Sequence, residues 1–142
     1  MKLFIVAAAL VTPVFPQYTV WYDTFYDGTT TSLSSVACST GEYGLIPYGY
    51  NTFGDLPSYP FIGGAPQIES WDSLNCGTCW ELTYTDRYGD STSANFTAIN
   101  SSDPGCFTLS FAGTDILTNG NGERLDGASI TAVQVPATWC GM

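Results

Sequence analysis

A chain of 142 residues, 44% of them hydrophobic, is sized for one domain with its own core. Thirteen acidic residues face three basic ones, and a net charge of −10 repels polyanions, which excludes nucleic acid and anionic membranes as partners and leaves neutral ligands. Histidine is absent, so Ser-His-Asp and Cys-His nucleophiles, imidazole acid–base chemistry and histidine zinc sites are excluded, and any hydrolysis would rest on carboxylates.

The chain opens on Met1-Lys2 and an apolar run from Leu3 to Val11, too short to span a bilayer as a helix. Residues 1–17 therefore read as a secretory signal peptide, with cleavage between Val14 and Tyr18 and a mature domain over 18–142. Export sends the thiols to an oxidising compartment.

Tyr18 to Asp27 reads Y-T-V-W-Y-D-T-F-Y-D, β-branched and aromatic, and predicts a strand with Trp21, Asp23, Phe25 and Asp27 on one face. A Ser/Thr loop follows over Thr29–Ser35. Leu45–Gly64, punctuated by Pro47, Pro57 and Pro60, reads as long irregular chain held by the rings of Tyr48, Tyr50, Phe53, Tyr59 and Phe61. Trp80–Tyr84, Ala94–Ile99 and Ser129–Val135 are further strands. Ser110–Thr118 is a short helix, and Asn119-Gly120-Asn121-Gly122 a turn after it. Many short strands, long loops and one or two short helices suit a closed barrel more than a sandwich, although periodicity leaves both open.

Five cysteines, Cys38, Cys76, Cys79, Cys106 and Cys140, imply two disulfides and one leftover thiol. Cys76-Gly77-Thr78-Cys79 has redox spacing but precedes a strand instead of opening a helix, so structural bridges are expected. Four half-cystines allow three pairings. A buried Cys106 is inert, whereas an exposed one links two chains; the expected state is a monomer unless that link forms.

Y-D-T-F-Y-D (Tyr22–Asp27), the isolated Cys38, I-G-G (Ile62–Gly64), C-G-T-C-W-E-L-T-Y (Cys76–Tyr84) and T-A-V-Q-V-P-A-T-W-C-G (Thr131–Gly141) occur in that order. Together they resemble the cerato-platanin proteins over the whole of 18–142. The resemblance implies a mainly β fold, a six-stranded double-psi β-barrel similar to the first domain of expansins, with disulfides Cys38–Cys76 and Cys79–Cys140. It also implies a secreted protein of the medium and fungal cell wall that is not an enzyme and uses no cofactor or metal. Such a protein binds N-acetylglucosamine oligomers or cell-wall polysaccharide, loosens cellulose without hydrolysis, assembles at interfaces, and is perceived by plants, hence through a plant receptor, as an elicitor of defence. Two departures stand out. Asn100 occupies the place of the family's usual Asp, and Cys106 is extra, in a segment that reads one residue longer.

A sugar groove needs aromatic faces and hydroxyl, amide or carboxylate partners, because sugar hydroxyls are costly to bury unpaired. By correspondence with the family the candidates are Asp23, Tyr26, Asp27, Asn100 and Thr108; the bland alternative makes the tyrosine core and the aspartates caps. A glycosidase reading would need two carboxylates about 5–9 Å apart, such as Asp23 or Asp27 with Asp103, and the sequence spacing gives it no support. Asn95-Phe96-Thr97 and Asn100-Ser101-Ser102 are glycosylation sequons, and a glycan on Asn100 would block the groove. A small carboxylate-dependent glycan hydrolase and a surface-active coat protein without a defined ligand are the competing functions on the same fold.

Overall fold

The computed structural model of the protein describes residue 5, residues 7–11 and residues 15–142. The predicted signal segment, 1–17, falls partly on residues 1–4, 6 and 12–14, which lie outside the described residues. Among the described residues no helix is long and apolar enough to cross a membrane.

The strand expected over Tyr18–Asp27 ends early. β1 spans Gln17–Tyr22; Asp23 then accepts the backbone N–H of Phe25 with its carboxylate and opens a 3-10 turn over Thr24–Asp27. A short acidic side chain that satisfies the amide two residues on competes with the ladder, which is why the aromatic alternation does not carry through.

β2 (Ile62–Ala65), β3 (Cys79–Thr85), β4 (Ser91–Ser101), β5 (Cys106–Leu109) and β6 (Ala128–Val135) close a barrel with β1 in the order β1-β5-β2-β4-β3-β6. The pairs β1–β5 and β2–β4 are parallel, while β1–β6, β2–β5, β3–β4 and β3–β6 are antiparallel. This is the six-stranded, mainly β barrel that the resemblance implies. β3, β4 and β6 contain the runs expected as strands; β2 and β5, each of four residues, were not expected from their pattern.

Inward-facing Val20, Leu82, Phe96, Phe107, Leu109 and Ile130 are buried in the core, and the rings of Phe96 and Phe107 meet edge to face with centroids 5.5 Å apart. Each such side chain contributes about 1.5–3 kcal/mol by leaving water. β2 is buried on both faces, and its glycines are a condition of closure. Gly63 has φ 152°, and a Cβ there would collide with the carbonyl oxygen of Thr108 on β5.

α1 spans Phe111–Leu117, inside the helix expected over Ser110–Thr118, with Ser110 Oγ accepting the N–H of Gly113 as its cap. Asn119 and Gly120 turn the chain after it at φ 56° and 80°. Leu45–Gly64 is irregular apart from two 3-10 turns, at Ile46–Tyr48 and Phe53–Asp55, and β2 at its end. Phe53 is fully buried and the Tyr59 hydroxyl donates to the carbonyl of Asp27 at 2.6 Å, but Tyr48 is 70% exposed and does not pack inside. Disulfides join Cys38 to Cys76 and Cys79 to Cys140. Across sequence separations of 38 and 61 residues, loop closure in the unfolded chain makes each worth about 4 kcal/mol.

Candidate functional site

Strand register lays one row across the barrel wall. Trp21 on β1 pairs with Thr108 on β5, Thr108 with Gly64 on β2, and Gly64 with Asn100 on β4. The row holds an aromatic ring, a hydroxyl and an amide, with a glycine between the last two over which Ser101 and Ser102 pass closely.

At one end, Trp21, Asp103, Cys106 and Thr108 line an open concavity of ≈ 360 Å³. Trp21 is 46% exposed and its indole N–H donates to Thr19 Oγ1 at 3.1 Å. Its ring lies against Gly127, where a Cβ would stand 2.9 Å from the indole. Thr108 Oγ1 shares a 2.8 Å hydrogen bond with Ser102 Oγ. Cys106 is a free, half-buried cysteine whose Sγ lies 3.1 Å from Thr19 Oγ1.

At the other end, Asn100 and Tyr26 meet directly. The amide nitrogen of Asn100 donates to the Tyr26 hydroxyl at 3.0 Å, and its carbonyl accepts the N–H groups of Ala37 and Ser101. Tyr26 is 4% exposed, with its ring near those of Phe25 and Phe53. Burial pushes the Tyr26 phenol above its usual range, the Asn100 hydrogen bond works against that, and the nearby charge of Asp23 adds to the rise. Asp23 lies in the same turn as Tyr26, its carbonyl accepting the Tyr26 N–H at 3.1 Å while its carboxylate accepts that of Phe25.

Asp27 does not join them. Its two carboxylate oxygens accept the N–H groups of Phe111 and Ala112, at 3.0 and 2.9 Å, at the start of α1. Of the candidates, Asn100, Tyr26 and Asp23 therefore form one group, Thr108 reaches it through Ser102 and Ser101, and Asp27 is committed to the helix. Trp21 and Ser102 were not among the candidates. The alternation that put Trp21 on the face of Asp23 was the available signal for the first; nothing in the sequence marks Ser102 apart from its neighbours. The two sequon asparagines both lie half-buried on β4, with Asn95 donating to the carbonyl of Trp139.

The line from Trp21 to Tyr26 offers one ring face, several hydroxyls and an amide. That is a set suited to the C–H faces and hydroxyls of a neutral sugar.

Residues 18–142 match the family model described as Cerato-platanin. The chain is 40% identical over 131 residues to the heat-stable 19 kDa antigen of Coccidioides immitis, covering 92% of this chain and 86% of that protein. It is similar to the crystal structure of cerato-platanin 2 from M. perniciosa, with a TM-score of 0.84 and 35% identity over 89% of this chain and 99% of that one. The solution structure of the fungal elicitor cerato-platanin gives a TM-score of 0.72 and 34% identity over 86% and 95% of the two chains. The motifs, the barrel and a family match over the whole of 18–142 agree, and the chain belongs to the cerato-platanin family.

Proposed function

We propose that this is a secreted, non-enzymatic, cell-wall-associated fungal protein that binds chitin oligosaccharides or loosens cellulose through the Trp21–Asn100 row and acts as an elicitor of plant defence. The observation that carries the reading is the exposed ring of Trp21 beside Thr108 in a concavity of ≈ 360 Å³, continued by hydroxyls toward Asn100. A relative described as a fungal elicitor supports the role in defence. Bond cleavage gains no support from the carboxylates, since Asp27 is spent on α1 and Asp23 on its own turn. The second reading, a surface-active coat, draws on the exposed rings of Trp71 and Trp139, at 59% and 55%.

Titration with N-acetylglucosamine and glucose oligomers, followed by tryptophan fluorescence and calorimetry, tests the groove. Saturable binding is expected, abolished in Trp21→Phe and unchanged in Asp27→Ala, whose lost helix cap costs only about 1–2 kcal/mol of stability. Absence of binding to both series would move the reading to the coat protein, and release of reducing sugar from chitin or cellulose would move it to the hydrolase.

A further inference from the structure

The two arginines of the described residues stand together. Arg87 lies in the turn between β3 and β4, Arg124 in the loop between α1 and β6, and both line an open concavity of ≈ 320 Å³ with Tyr84, Tyr88, Asp86 and Leu125. In a chain with 13 acidic residues the expectation is that carboxylates capture such cations. Among the described residues, neither guanidinium lies within 4.0 Å of a carboxylate oxygen. Arg124 donates from Nη2 to Asn121 Oδ1 at 2.8 Å, while Arg87 holds its Cζ 5.0 Å from the ring centroid of Tyr88. Asp86 is the acidic member of the lining, and its Oδ1 is taken by the N–H groups of Tyr88 and Asp90.

We propose that this concavity binds a carboxylate-bearing sugar, a uronate unit of a short oligosaccharide. Guanidinium groups present forked donors that match a carboxylate, and among the described residues Arg124 Nη2 to Asn121 Oδ1 is the one hydrogen bond these two groups make. The half-buried ring of Tyr84 and the face of Tyr88 opposite Arg87 suit a pyranose ring, and Tyr88 is 76% exposed. Leu125 is the one aliphatic side chain of the lining, so a peptide with a free C-terminus would find little to hold its own side chain. The net charge of −10 limits the ligand's length, because a long polyanion is repelled before it reaches the two arginines. The site is separate from the neutral-sugar row and does not depend on that reading.

The experiment is calorimetric titration of the folded protein with trigalacturonate, with neutral galactotriose, with inorganic phosphate, and with a tripeptide bearing a free carboxylate. Saturable binding of trigalacturonate is expected, with the other three probes each at least about tenfold weaker. The double variant Arg87→Gln/Arg124→Gln should lose at least about tenfold in affinity for trigalacturonate, and the double Lys variant, which keeps charge but not the fork, should recover only part of it. Both arginines are exposed, and thermal unfolding confirms that the variants fold. The proposal is overturned by absence of saturable trigalacturonate binding, by binding that the double Gln variant leaves intact, or by equal affinity for galactotriose, phosphate or the peptide.

Discussion

Asn100 decides how Tyr26 is used. An amide there donates to the phenol oxygen and leaves the phenol proton without an acceptor among the described residues, whereas an Asp would accept that proton and reverse the bond. Buried to 4% exposure, that phenol ties Tyr26 to alkaline stability. Its folded pKa is raised above the ordinary 10.0, so the neutral phenol stabilises the fold fully below that value. As pH climbs above 10.0 toward the folded value, the unfolded chain ionises first and stability falls. Tyr26→Phe should cost about 1 kcal/mol at neutral pH, where Asn100 loses its acceptor. The same variant should flatten the decline above pH 10; urea unfolding of both proteins at neutral pH and at alkaline pH measures it, and parallel declines would reject the assignment. The aspartates show why the site was only partly legible. Nothing in Y-D-T-F-Y-D distinguishes an Asp that caps its own turn from one that caps a helix some eighty residues on, because the N–H groups Asp27 accepts belong to Phe111 and Ala112.

Strands of seven residues or more with β-branched and aromatic content declared themselves: β3, β4 and β6 lie where alternation placed them. β1 was drawn too long because the alternation outlasts the ladder, and only the local bond from Phe25 N–H to Asp23 stops it. β2 escaped the pattern altogether, since Ile62-Gly63-Gly64-Ala65 has little intrinsic strand preference and is made a strand by its neighbours. Its position in the barrel gives the sharpest test. Gly63→Ala places a methyl against the Thr108 carbonyl at a backbone angle that disfavours side chains, and should destabilise the protein by about 3 kcal/mol or more. Gly49→Ala is the control: it also has a positive φ, 98°, but no atom within 4 Å, and should cost only about 1–2 kcal/mol. Chemical denaturation of the pair separates collision from conformational strain; equal losses would mean that β2 yields around the methyl.

The molecule as a whole is a strongly acidic barrel in which Arg124 bonds the Asn121 amide and Arg87 lies over the Tyr88 ring. Salt therefore screens repulsion among acidic side chains while having few attractive ion pairs to weaken. The melting temperature should rise as sodium chloride goes from about 10 mM to about 200 mM, where the Debye length shortens from about 30 Å to under 10 Å. A fall over that range would mean that attractive pairs dominate.

The order of strands also dictates when this barrel can exist at all. β1, first in the chain, is the stave between β5 and β6, and β6 is the last strand to be made. During synthesis the N-terminal stave waits without either neighbour, so the closed core forms only after the final strand has left the ribosome. Contacts this distant in sequence slow folding. The Cys79–Cys140 bridge, which ties the start of β3 to the turn that follows β6, can likewise close only once β6 has been made.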